Sequence, residues 1–209
     1  MLDSCQGVGQ LPLDVQAIGC DILCGTGRKF LRGPRGTGLL YVRRELIEKL
    51  EPPFLDQHAA TLVNEAEFQI RTDARRFENW EQNFAGKAAL AVAMDYALDW
   101  GLEAIEERVF ALAQRLRTRL RDVDGVRVAD AGQQQCAIVT FHTEQKSAEA
   151  IRLAMAQKRI NVSVADGSGT LVSFQRRGLT ALLRASMHYF NTEDEIEIFV
   201  DTLEQFLRE

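Results

Sequence analysis

One stretch, Gly25-Thr26-Gly27-Arg28-Lys29-Phe30-Leu31-Arg32-Gly33-Pro34-Arg35-Gly36-Thr37-Gly38, holds a single lysine among five glycines, three arginines and a proline. Glycines let a backbone take positive φ and aim its N–H groups at a phosphate. Neighbouring cations disfavour a further positive charge on Lys29, and an amine in that position is a nucleophile for carbonyls. The stretch therefore suggests an anionic ligand held beside an amine. By composition alone, a plain Gly/Arg-rich surface turn stands beside that reading. A P-loop is excluded, because Gly27 precedes Lys29 by two residues and Phe30, not Ser or Thr, follows it.

The chain around this stretch has 209 residues, 46% of them hydrophobic, enough for one large domain or two small ones. A net charge of −5 with no long basic run argues against nucleic acid or a membrane surface as partner and favours small molecules. No stretch approaches the length of a transmembrane helix, and the first residues lack a basic region followed by an apolar core, so a cytoplasmic protein is expected. Cys5, Cys20, Cys24 and Cys136 are too few and too irregular for a disulfide framework or a metal site. Buried free thiols are expected.

The elements that must position Lys29 follow from pattern. Leu11 to Gly19 suits a short helix, Cys20–Cys24 a buried strand ending at the loop, and Leu39–Val42 a second strand, followed by a helix over Arg44 to Leu50 that stops at Pro52-Pro53. Phe54 to Asn83 has no clean period and reads as a long irregular segment; long loops of this kind are commonly functional or interfacial. Phe84 to Leu98 is apolar nearly all round and predicts a helix buried on most faces. Leu102 to Val123 is amphipathic through Ile105, Val109, Leu112, Leu116 and Leu120.

The remainder alternates strands and helices. Strands are expected at Val126–Val128, Cys136–Phe141 and Ile160–Val164, a helix at Ala148–Gln157, and a last strand at Leu182–His188 with Arg184, Ser186 and His188 on one face. Thr192 and Glu195 form a capping box for a final helix with an apolar stripe of Ile196, Phe199, Val200, Leu203 and Phe206. His58 and His188 are expected as surface or hydrogen-bonded structural residues, and Trp80 as packing.

Asp3-Ser4-Cys5-Gln6, Gly25–Lys29, Gly33–Gly38, Arg76-Phe77-Glu78, and Arg184-Ala185-Ser186 with Asn191-Thr192-Glu193 together resemble the class V aminotransferases, pyridoxal-phosphate enzymes that include the cysteine desulfurases and isopenicillin N epimerase-like proteins. The resemblance implies an α/β chain with the C-terminal part of the fold type I architecture. Its parts would be a partial cofactor domain (1–83), a bridging helix (84–100) and a small α/β domain (101–209). It implies pyridoxal 5'-phosphate as cofactor, Lys29 as the Schiff-base lysine that also moves the substrate Cα proton, and Asp3 as the carboxylate facing the pyridinium nitrogen. Gln6 would hydrogen-bond the ring's phenolic oxygen, Thr26 and Arg28 would contact the phosphate, and Arg184 would grip the substrate α-carboxylate with its bidentate fork. An amino-acid substrate, a homodimer, and transamination, C–S lyase (β-elimination) or epimerisation chemistry are implied with them.

Three departures qualify that carry-over. Cysteine desulfurases have a reactive cysteine shortly before the substrate-binding arginine, and Ala165–Arg177 has none, which disfavours persulfide chemistry. Glu81 stands where a desulfurase threonine reaches the partner subunit's phosphate. Residues resembling the family's long N-terminal segment are missing from this sequence, so an open sheet edge and an open cofactor pocket are expected. An alternative reading is a catalytically incomplete remnant that acts as a folded or partner-binding domain.

Overall fold

Leu2–Asp3 (β1) runs parallel to Ile22–Thr26 (β2), and β2 pairs antiparallel with Gly38–Val42 (β3). The glycine-arginine stretch is thus the tip of a hairpin whose register runs from Ile22 opposite Val42 to Thr26 opposite Gly38. The computed structural model that shows these strands describes residues 1–209, which fall into two units, Met1–Ile105 and Glu106–Glu209. β2 begins later than the pattern predicts and runs on through Gly25 and Thr26. Glycine at both 25 and 38 allows this, since a Cβ on Gly38 would stand 2.5 Å from the Gly25 carbonyl oxygen.

Val15–Ile18 (α1) starts at Asp14, whose carboxylate accepts from the Gln16 and Ala17 N–H groups, and stops at Gly19 with φ 70°. Arg44–Ile47 (α2) follows β3 and buries Ile47. The segment expected to be irregular is partly regular. Ala60–Leu62 (β4) and Phe68–Ile70 (β5) form an antiparallel hairpin, and Ala74–Phe77 is a 3-10 turn capped by Asp73. Three-residue strands with mostly exposed side chains are too short to show a period in sequence.

Phe84–Trp100 (α3) lies wholly in the first unit and differs most from expectation. Only Gly86, Leu90 and Ala97 are buried, while Phe84, Val92, Leu98 and Trp100 are exposed. An all-round apolar helix records that burial would be favourable on every face. In this chain only the face carrying Leu90 finds cover, against Gly27 and Gly33. Trp80 is likewise not packed away: it is half exposed, its backbone N–H donates to Asp56 Oδ2 at 2.7 Å and its ring meets His58 edge-on.

The second unit closes on itself. Leu102–Arg121 (α4) places Val109, Leu112, Leu116 and Leu120 inside, with the spacing its sequence predicts. Val126–Val128 (β6), Ile138–Thr143 (β7), Ser163–Ala165 (β8) and Leu182–Ser186 (β9) form one sheet in the order β6-β7-β9-β8, every pair antiparallel. Ala148–Gln157 (α5), Leu171–Arg177 (α6) and Glu193–Arg208 (α7) complete the unit. Leu116, Phe141, Ile151, Leu183, Ile196 and Leu203 share one core, and the Thr192/Glu195 capping box forms as read.

Boundaries move here for local reasons. The strand expected from Ile160 starts at Ser163, because α5 ends in a turn that puts Arg159 at φ 61° and ties the Ile160 N–H to the Met155 carbonyl. β7 starts at Ile138 rather than Cys136, and α6 occupies part of the segment before Arg184. β9 stops at Ser186, so His188 is not a strand residue; its N–H donates to Asn191 Oδ1 as the chain turns. All four cysteines are free, and each is half-buried rather than buried. No helix is long and apolar enough to cross a membrane.

Candidate active site

Two turns of the first unit are pressed together by glycines. Ser4 accepts from the Gly7 and Val8 N–H groups, which folds residues 4–8 into a tight turn directly after β1. Gly9, at φ 87°, lies against the Phe30–Leu31 backbone so closely that a Cβ would fall 2.6 Å from the Leu31 nitrogen. Gly25 stands in the same relation to Val8, at 2.7 Å from its Cγ2. Phe30 and Leu31 are buried, and the Arg32 N–H closes onto the Lys29 carbonyl at 2.8 Å. Lys29 is therefore a half-buried residue on an anchored turn, beside the turn that follows Asp3 and carries Gln6.

The loop's glycines work differently from the sequence expectation. Of Gly25, Gly27, Gly33, Gly36 and Gly38, only Gly36 takes positive φ. The others are small because neighbours are close: a Cβ on Gly27 would meet Thr37 Oγ1 at 2.5 Å and Leu90 Cδ1 at 2.6 Å. The loop's non-glycine residue with positive φ is Arg32, at φ 58°, whose guanidinium lies 5.0 Å over the Tyr96 ring.

Asp3 is held below the ordinary carboxylate range. The Cys5 thiol contributes most, then the Cys5 N–H at 3.0 Å from Oδ1, and the Lys29 ammonium adds in the same direction. In return the carboxylate pushes the Cys5 thiol up. Gln6 is half-buried, and its carbonyl accepts from the Gln10 side chain. Thr26 closes β2 opposite Gly38, and Arg28 is exposed at the start of the turn. Asp3 and Thr26 thus end the paired strands β1 and β2, and Gln6, Arg28 and Lys29 lie on the two contacting turns that follow them.

Arg184 belongs to the second unit. It sits in the middle of β9, opposite Thr140 on one side and Ser163 on the other. Its Nε is shut from solvent and has no acceptor in the protein. A buried guanidinium nitrogen without a partner is costly.

These motifs match the family model for aminotransferase class-V over residues 1–199. The chain belongs to the class-V aminotransferase family. This class-V chain is 34% identical over 207 residues to a probable cysteine desulfurase of Xylella fastidiosa, a match covering 97% of this chain and 48% of that protein. The apo structure of a cysteine desulfurase from Thermococcus onnurineus superposes with a TM-score of 0.92 at 24% identity, over 99% of this chain and 52% of that one. A structure of a lysine-to-alanine variant of C-DES, with glycine covalently linked to its pyridoxal-phosphate cofactor, gives a TM-score of 0.81 at 22% identity, over 95% and 49%. The class-V chain therefore spans about half the length of the relatives it matches, and it has the mixed α/β fold of their structures.

Pyridoxal phosphate fits the residues present. The group needs an ionised carboxylate for its ring nitrogen and an amine for its carbonyl, and the class-V chain supplies an Asp3 kept ionised at the end of β1, whose following turn is pressed against that of Lys29. Sequence reasoning missed two features of this region. Cys5 gains importance as the donor that fixes Asp3, which only the fold of the turn reveals. Arg76 was legible as part of a motif but carried no role, and its surroundings are a tertiary fact.

Proposed function

We propose that this protein acts on an amino-acid substrate as a pyridoxal-phosphate enzyme, with Lys29 as its reactive amine. The observation that carries the reading is the pair formed by Asp3, held ionised, and Lys29, held on the adjoining turn. When bound, the cofactor supplies an electron sink for charge developing at the substrate Cα. Asp3 keeps a negative charge for the ring nitrogen, Gln6 offers an amide to the ring's oxygen, and Thr26 and Arg28 offer a hydroxyl and a charge to the phosphate. Lys29 Nζ holds the cofactor carbonyl and afterwards carries the Cα proton. Arg184 offers its unpaired nitrogen to the substrate carboxylate.

Among transamination, β-elimination and epimerisation, the likeness to a cysteine desulfurase favours cleavage of a C–S bond. Ala165–Arg177 contains no cysteine, which favours release of the sulfur over its capture on that segment. The exposed apolar residues of α3 support a homodimer.

The test is covalent trapping. Borohydride added after incubation with pyridoxal phosphate should fix the label on the peptide containing Lys29, and Lys29→Ala should lose both label and visible absorption band. Label on another lysine, or none on the wild-type protein, removes Lys29 from this role.

A further inference from the structure

Arg76 is 6% exposed, and its Nε is shut from solvent with no acceptor. Arginine cannot shed its proton, so this is a buried positive charge rather than a neutral group in disguise. The carboxylates of the surrounding segments are committed elsewhere. Asp73 pairs with Arg71 and Arg75, and its pKa is driven far below the carboxylate range, first by Arg71. Glu78 lies 3.4 Å from His58 Nε2 and 3.5 Å from Lys87 Nζ. Asp56 accepts from the backbone N–H groups of His58, Ala59 and Trp80.

This fold does satisfy a buried arginine that it keeps for structure: Arg117 reaches Asp130 at 2.7 Å and two backbone carbonyls. Arg76 has nothing comparable. The two residues after it, Phe77 and Glu78, help line a cleft whose other wall is Gly36–Leu40, the exit of the Lys29 loop. Arg76 itself does not line that cleft, and with 6% of its surface exposed it leaves access only to a small ligand.

We propose that Arg76 is the cationic centre of a binding site in the first unit for a small oxyanion, carboxylate or phosphate, that presents two oxygens to its fork. The site is separate from the role assigned to Lys29 and stands without it.

The test is thermal unfolding and calorimetric titration of the wild type, Arg76→Lys and Arg76→Met, with sodium phosphate, sodium acetate or sodium chloride at matched ionic strength. A bound anion raises the unfolding midpoint in proportion to its occupancy. The expected result is a midpoint rise for the wild type in phosphate or acetate over chloride, with affinity at least about tenfold weaker in Arg76→Lys and absent in Arg76→Met. Which anion acts tells phosphate from carboxylate. In chloride alone, Arg76→Met should unfold at or above the wild-type temperature, because it removes an uncompensated charge. Repeating the titration in Lys29→Ala with pyridoxal phosphate and with pyridoxal separates a cofactor phosphate from a free anion. Equal stabilisation of all three proteins overturns the proposal. So does Arg76→Met that unfolds earlier in chloride or fails to fold, since the guanidinium would then be held by the protein itself.

Discussion

Each unit buries an arginine and treats it in the opposite way. Arg117, 1% exposed, lies between α4 and the start of the sheet with Asp130 on its Nε and the Cys136 and Ile138 carbonyls on one terminal nitrogen; Asp130 in turn accepts from the Thr140 N–H and hydroxyl. Arg76 is nearly as buried and has no such partner. The apolar residues repeat the contrast. In the second unit most of them meet in one continuous core, with Leu153, Leu171 and Ile198 left outside, whereas the first exposes more, Phe54, Phe84, Val92 and Trp100 among them. The second unit satisfies the arginine it buries most deeply, although the Arg184 Nε on β9 has no acceptor, whereas the first leaves Arg76 unpartnered and more of its large apolar side chains uncovered.

The most severe way to break this comparison is Asp130→Ala. It would leave the buried Arg117 charge with two carbonyl acceptors and no carboxylate inside a closed core, at a cost of about 3–5 kcal/mol, read as a drop in the denaturant midpoint. Replacing both residues by apolar ones should recover most of that loss, because neither charge is then left alone. If Asp130→Ala costs no more than a surface substitution, the second unit does not depend on internal pairing and the contrast fails.

A smaller effect is expected at Gly27. A Cβ there would press on Thr37 Oγ1, which is fixed by its 2.7 Å bond to the Pro34 carbonyl, and on Leu90 of α3. Gly27→Ala should cost about 1–3 kcal/mol as an overpacked contact and should reduce borohydride trapping at Lys29, since the turn would shift with it. Gly36→Ala makes a useful companion: the site has open space but φ 79°, so its penalty comes from backbone conformation and leaves the contact with α3 intact.

How far the sequence carried depends on how local each feature is. α4, α5 and α7 were legible to within a few residues because an apolar stripe and a capping box are complete within the segment that bears them. The β4–β5 hairpin was not, since three exposed residues per strand leave no alternation to read. α3 was found as a helix but misread in burial, because composition states what a face prefers and not whether the chain provides a cover. For the site, the motifs nominate Asp3, Gln6, Thr26, Arg28, Lys29 and Arg184 by resemblance alone. The reason for the loop's glycines, close packing rather than positive φ, needed the contacts with Val8, Thr37 and Leu90. The missing partner of Arg76 is a property of the surroundings, which no spacing in the sequence encodes.

The smallest effect separates the units by the kind of partner their acids use. In the second unit Glu197 is held below the usual glutamate range, first by Arg115 and then by Arg119, and Glu193 by Arg108. In the first, Asp56 is held low, first by the Trp80 N–H. A carboxylate depressed on folding contributes stability that is fully present above its unfolded pKa, about 4, and is lost as pH falls through the folded value. Both units should therefore keep their stability near neutrality and lose it on the acid side. Salt then tells them apart, because it screens exposed ion pairs but leaves a hydrogen bond from a backbone N–H in place. Between low and high sodium chloride, the difference between wild type and Glu197→Gln in unfolding midpoint at pH 5 to 7 should shrink, while that between wild type and Asp56→Asn should persist. Two differences that shrink together would mean that the first unit's acids, like the second's, act through long-range charge rather than through fixed donors.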